Sequence, residues 1–547
     1  MSSAPYSEAK TEPVPRHEVT PSPAGDSRGG GAGIVAPALT SVHVPETSKW
    51  EIWSWYAYYV GANGLSLLNF GPTAFQNLLS QAAAAEAAAT GGDADDPLIR
   101  FAGRDRNVNS VVLLTNGISF AIQAALFLII GSYADFGSGN VRRYILVFWS
   151  VVAYAVGFAW LGVHDLSKWQ AGVALYIVGL VCYQLTLTYW TAAFPSLARN
   201  TPRLRDAARA YAQGEMAQAE YDRLDELERS RLSNVAFCIQ SAGEVVILAI
   251  IVGILFAVHV NDGTTESNNW GQSVLVAFAT AVWLALSLPW FFLERKRPGL
   301  KIPPGKNVVT VGLWQLKEAF TKIWHLKQSL IYLVGYFLLA DSLNTTITVI
   351  ATLQNEVVAY DTLTLTYLFI VGIVAQGTGI AVYWYVQKRY AIGAKAMFNA
   401  VAVAIVLLDG WGMVGNWTGS FGFHHVWEVW LYQAFYGLFV CQWYSYSQIL
   451  ISSITPRGHE FLFFSLFTIV GKTSSFIGPF VSSAIIDASP GGPDSNRNST
   501  PFYFLFALSL VSAVGLWLFL DLDKSAREQE AFLLRERMKM EGADGGK

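Results

Sequence analysis

Three ionisable side chains, Glu244, Asp341 and Lys472, each lie near the middle of a long apolar run. A charge at a bilayer centre costs on the order of 3 kcal/mol even on the lenient insertion scale, so such residues face a bundle interior or a water-filled path. Each enters its run from the same side, about ten to twelve residues deep and so roughly 15 Å in at the helical rise. A carboxylate at that depth can take up and release a proton as its surroundings open to one side and then the other, the chemistry of ion-coupled transport. The alternative is static, with Lys472 paired to Glu244 or Asp341 and locking two parts of a bundle together.

The elements around these residues follow from composition. The chain has 547 residues, 53% of them hydrophobic and only 14% charged, where a soluble domain carries about a quarter charged. This is the profile of an all-α polytopic membrane protein. A net charge of −3 points to no nucleic-acid partner. Residues 1–47 are rich in Pro, Gly, Ser and Thr and read as a disordered cytosolic tail. Twelve runs then approach the roughly 20 residues needed to cross a bilayer. They lie near 50–79, 108–132, 143–163, 170–195, 234–260 and 273–293, then near 328–352, 363–387, 396–414, 428–452, 460–485 and 502–521.

The runs fall into two six-helix halves, 48–294 and 328–522, joined by a linker at 295–327 and followed by a tail at 523–547. In the linker Leu313, Leu316, Phe320, Ile323 and Trp324 recur at helical spacing beside Lys317, Lys322 and Lys327, the pattern of an amphipathic helix at a lipid surface. The loop 196–232 mixes Arg, Glu and Asp and reads as a solvated helical excursion. Lys and Arg concentrate in the loops after the even-numbered spans, so the positive-inside rule puts both termini in the cytosol. The sequons at Asn416 and Asn498 fall on the opposite face, as glycosylation there requires. No phosphate-binding glycine loop, nucleophile elbow or metal-ligand spacing is present. The expectation is therefore not an enzyme, with no cofactor and no metal. The membrane lipid and a small-molecule substrate are the expected partners, and the residues name no protein partner.

Between the second and third spans runs Gly131-Ser-Tyr-Ala-Asp135-Phe-Gly137-Ser-Gly-Asn-Val-Arg142-Arg143. It resembles the gate signature of the major facilitator superfamily, although Phe136 stands where that family has a basic residue. Glycines there allow a tight turn, and Asp135 can pair with arginines in one conformation only. A fainter echo, Gln387-Lys388-Arg389-Tyr390-Ala-Ile-Gly393-Ala-Lys395, sits at the matching point of the second half. Three longer stretches are similar to the autophagy-related vacuolar amino-acid effluxers of fungi. They are Trp50 through Gly64 to Asn77; Tyr336 through Asp341 to Thr346; and Tyr444 through Pro456-Arg457-Gly458-His459-Glu460 to Gly471-Lys472-Thr473-Ser474-Ser475-Phe476-Ile477-Gly478-Pro479.

That resemblance implies a multi-pass protein of the vacuolar membrane that returns leucine-type amino acids to the cytosol by alternating access during or after autophagy. A transporter-like sensor or accessory protein without net transport is the other reading. In the superfamily the first, fourth, seventh and tenth helices line the cavity, and the polar residues on those spans here are Asn63, Asn69, Gln184, Tyr189, Asp341, Asn344, Tyr444 and Gln448. Asp341 can hold a substrate ammonium, amide donors or a broken-helix N-terminus the carboxylate, and aromatics an apolar side chain. Glu244, Asp341 and Lys472 remain the residues for proton coupling or an ion pair. Asn109, Asn116 and Gln123 recur every seven residues and form a stripe that either borders the pathway or packs on a neighbouring helix.

Overall fold

The computed structural model describes residues 45–91, 97–130, 139–258, 265–297, 308–390, 392–456, 463, 466–467, 469–471, 474–490 and 496–544. Gly131, Asp135, Gly137 and Lys472 lie outside the described residues, as does the stretch 1–44. Lipid offers a backbone amide no partner, so apolar runs of this length close their hydrogen bonds internally as helices. Among the described residues nine helices are long and apolar enough to cross a membrane. They are spans 2 to 9 and span 12: Val108–Ile130, Gly139–Ala159, Trp169–Thr191, Gln218–Ala257, Thr265–Leu293, Lys327–Val357, Thr362–Tyr390, Ala394–Val414 and Pro501–Phe519.

Of the other three, spans 1 and 10 are interrupted within the described residues. Span 1 is a helix Lys49–Gly61, a break in which Gly64 takes φ +95°, a π-helical turn Leu65–Phe70, and a helix Gly71–Thr90 with Pro72 in its first turn. Only glycine adopts that φ without strain, and proline suits a first helical turn because its missing N–H has no partner to lose. Span 10 consists of Val426–Phe435, a π-helical turn Tyr436–Val440 and Trp443–Ile454. The described helix of span 11 is Ile477–Ala488. Such π-turns recur at functional sites in helices.

Consecutive spans run up and down, so the molecule has a terminal face, near Lys49 and Leu520, and an opposite face. Between spans 1 and 2, on that opposite face, lies a two-stranded hairpin the sequence pattern did not announce, Leu98–Phe101 against Arg104–Asn107, with Leu98 opposite Asn107. It is called the hairpin face below. On the terminal face the loop after span 4 forms helices Phe194–Arg199 and Pro202–Ala212, and span 5 begins early, as a 40-residue helix. A helix Val308–Ile323 occupies the linker, with Phe320 and Trp324 exposed near its end.

The expected tail at 523–547 is largely a helix, Leu522–Asp544, and it is docked. Glu528 accepts the Gln328 backbone N–H at 2.9 Å, Gln328 Oε1 accepts that of Asp521 at 2.8 Å, and Gln529 donates to the Ser453 carbonyl at 3.0 Å. Phe532 is buried in the core of the second half. Asp521 caps this helix, and the Lys524 backbone N–H holds its carboxyl below the usual carboxylate range.

The ends of spans 1, 3, 4 and 6 are tied together at the terminal face by charged side chains. Arg297 grips Glu51 with both terminal nitrogens, each at 2.8 Å, and also bonds Thr47 Oγ1 at 3.0 Å. The two side chains are 3% and 0% exposed, so the pair is dry. Arg142 pairs with Glu294 and donates to the Ala192 carbonyl at 3.1 Å, while Arg143 donates to the Phe291 carbonyl. The two gate arginines thus bind the ends of spans 4 and 6 within their own half.

Candidate functional site

Polar side chains join the two halves along a seam running from the hairpin face toward mid-depth. Gln76 of span 1 donates to Asn109 Oδ1 at 3.1 Å and to the Thr352 carbonyl of span 7 at 3.0 Å, and accepts from Asn355 at 2.7 Å. Asn109 donates to Glu356 at 2.8 Å, and Asn116 to Thr348 at 3.0 Å. Ser110 and Ser483 share a hydrogen bond at 2.9 Å between spans 2 and 11, and Arg106 pairs with Asp487. Asn268 of span 6 donates to the Tyr360 carbonyl at 2.9 Å and accepts from Thr362 at 2.6 Å. These bonds between the halves all lie from the hairpin face to mid-depth.

The stripe Asn109, Asn116 and Gln123 therefore belongs to this seam at its first two positions, while Gln123 donates to Ser119 on its own helix at 3.1 Å. Asn116 Oδ1 and Gln123 Oε1 are buried without a hydrogen-bond partner among the described residues. A buried unsatisfied acceptor costs about 1–3 kcal/mol, so Asn116 Oδ1 weakens the seam as it stands.

The residues expected to meet substrate divide into two groups. Some are absorbed by the fold. Asn63 Oδ1 accepts the Leu65 N–H at 2.9 Å and caps the broken half of span 1, and the fully buried Tyr189 donates its hydroxyl to the Ile130 carbonyl. Asp341 accepts the Gly478 N–H at 3.0 Å, and Asn344 donates to Ser475 at 2.9 Å, so both tie span 7 to span 11. A methyl group at Gly478 would overlap Thr345 Oγ1, and this close approach is why a glycine stands there. The others face more open space: Asn69 and Gln184 are half-buried, and Tyr444 and Gln448 are exposed on the terminal-side half of span 10. Glu244 is buried in mid-span 5, with Gln240 Nε2 donating to its Oε2 at 2.5 Å.

The sequon amides both lie at the hairpin face. Asn416 donates to the Met413 and Ser499 carbonyls at 3.1 and 3.0 Å, and Asn498 donates toward Glu356 at 3.4 Å. Among the described residues no group of His, Cys, Asp and Glu is arranged to hold a metal ion.

One ionisable residue was missed by sequence reasoning. Asp409 of span 9 is completely buried and accepts hydroxyl protons from Thr346 at 2.5 Å and Ser342 at 3.2 Å, with Ser509 alongside. The signal existed, a carboxylate inside an apolar run, but its place near the end of span 9 made it look interfacial. Asp409→Ala is expected to lose about 2–4 kcal/mol of stability through the cavity and the stranded Thr346 hydroxyl. Asp409→Asn, which keeps an acceptor, is expected to lose much less. Thermal unfolding of the detergent-solubilised variants reads the difference, and equal losses would contradict this role.

Comparison with known proteins follows the same outline. The family model described as "Vacuole effluxer Atg22 like" matches residues 47–530. Autophagy-related protein 22 of Neurospora crassa is 24% identical, with 96% of this chain and 78% of that protein covered. Its counterpart in Saccharomyces cerevisiae is 23% identical, with 78% and 80% covered. Among solved structures, a point mutant of the nucleoside transporter NupG superposes with a TM-score of 0.52 at 12% identity, over 86% of this chain and 98% of that one. The fold is that of a major facilitator transporter: twelve spans in two six-helix halves.

Proposed function

Because the chain belongs to the family of vacuole effluxers like Atg22, we propose that it exports neutral amino acids of the leucine type from vacuole to cytosol by alternating access. Family and fold make it a multi-pass transporter of the vacuolar membrane linked to autophagy, and not an enzyme. In the proposed orientation both termini are cytosolic, as the Lys and Arg distribution supports.

The one-sided seam is the observation that carries this reading. Polar bonds between the halves cluster on the hairpin side, while Tyr444 and Gln448 are exposed on the terminal side of span 10. A transporter facing the cytosol with its lumenal side shut has this asymmetry. Small-residue contacts such as Ser110 with Ser483, together with the unsatisfied acceptors, suit a closure that must reopen. Proton coupling, if the acidic lumen drives export, falls to Asp341 and Glu244, the carboxylates buried within spans 7 and 5. Purified protein in proteoliposomes is expected to show saturable, bidirectional exchange of radiolabelled leucine, accelerated by an inwardly directed proton gradient. Absence of leucine movement under any imposed gradient, from protein that is folded and inserted, would favour the sensor reading.

A further inference from the structure

Mid-membrane carboxylates need compensation, and the two described here differ in how they get it. Asp341 sits at the start of the 12-residue helix Ile477–Ala488 and accepts the Gly478 N–H, so the positive end of a helix dipole already faces it. Glu244 has no such partner. Its one hydrogen bond comes from the neutral amide of Gln240, and among the described residues no basic group faces it. Its other oxygen, Oε1, accepts no hydrogen bond, yet it is not among the buried unsatisfied atoms, so it borders open space.

Tyr59 of span 1 and Tyr183 of span 4 lie within electrostatic reach of Glu244, as does Cys441 of span 10. Tyr183 is also within reach of Tyr444, which is 51% exposed although it points among Tyr183, Tyr336 and Tyr436. Tyr59 is stacked on Trp190 with centroids 4.5 Å apart and meets the edge of Phe237 at 5.7 Å. An uncompensated carboxylate beside two tyrosines is the chemistry that recognises an organic ammonium, through a charge-assisted hydrogen bond and cation–π attraction.

We infer that Glu244, flanked by Tyr59 and Tyr183 with Tyr444 beyond Tyr183, receives the ammonium group of the substrate, and that Asp341 instead positions span 11 against span 7. The inference rests on the amino-acid reading above and names the group of the substrate that is held. Because Tyr444 and Cys441 come from the second half and the other groups from the first, a bound ammonium bridges the halves. Binding then couples directly to their relative movement.

The test uses the full-length protein in detergent and three probes: leucine, 3-methylbutylamine, which lacks the carboxylate, and 2-hydroxy-4-methylpentanoate, which lacks the ammonium. Thermal stabilisation of the wild type is expected from the first two and not from the third. Glu244→Gln, which keeps the shape and an acceptor for Gln240, is expected to bind leucine about tenfold to a hundredfold more weakly. Tyr444→Phe and Asp341→Asn serve as comparisons. Tyr444→Phe, which keeps the ring and loses the hydroxyl, is expected to weaken leucine binding by less than Glu244→Gln does, and Asp341→Asn to retain binding with a lowered unliganded melting temperature.

Stabilisation by the hydroxy acid equal to that by leucine would overturn the inference, as would unaltered leucine binding by Glu244→Gln. So would a wild type stabilised by neither ammonium probe. Stabilisation by the amine but not by leucine would leave the ammonium site standing and remove the amino-acid reading.

Discussion

Arg297→Ala is expected to destabilise the protein by about 3–5 kcal/mol, because it strands the Glu51 carboxylate in a site that water does not reach. Glu51 is 0% exposed, and its oxygens accept from Arg297 and from the Arg295 backbone N–H at 2.9 Å, with no other basic side chain bonded to it among the described residues. The same guanidinium holds Thr47 and the Pro45 carbonyl, so its loss also frees the strand that leads into span 1. Thr47 in turn bonds the backbone of Asn200 and Leu197, which ties that strand to the end of span 4. Thermal unfolding of Arg297→Ala and Glu51→Ala should therefore show large and similar drops. The double variant Glu51→Leu with Arg297→Met should recover most of the loss, since replacing a dry ion pair by apolar groups of similar volume is often close to neutral. A melting temperature for Arg297→Ala equal to that of the wild type would show that the pair is not dry in solution.

Neither partner of that clamp stood out in the sequence. Glu51 and Arg297 are separated by almost the whole first half, and each looks like an ordinary interfacial charge beside an apolar run. What was legible was whatever lipid enforces locally: an all-α bundle of about twelve spans in two halves. Lipid does not dictate where a span breaks, and so the interruption at Gly64 and the π-turns of spans 1 and 10 were not anticipated, although Gly64 and Pro72 were visible. The docked helix Leu522–Asp544 was hidden for a related reason, because beside the buried Phe532 its anchors are backbone groups of Gln328 and Asp521 and the Ser453 carbonyl, which no residue pattern announces.

The third dimension also separates the two carboxylates of the charged trio. Asp341 lies on a span whose counterpart lines the cavity in the superfamily, and in the structure it accepts the Gly478 N–H. Glu244 matched no motif and is the carboxylate left uncompensated. A motif records which residues a family shares, whereas the need for a counter-charge depends on what packs alongside.

The central claim is that the hairpin-side seam opens and closes once per substrate molecule. Ser110 and Ser483 are both buried in that seam with their hydroxyls 2.9 Å apart, near enough for a cysteine pair to form a disulfide with little backbone adjustment. In a background lacking Cys182, Cys238 and Cys441, the variant Ser110→Cys with Ser483→Cys should carry leucine across proteoliposome membranes when reduced, stop almost completely when oxidised, and recover with dithiothreitol. Leucine flux that continues undiminished while the cross-link is shown to be complete would contradict alternating access through this seam.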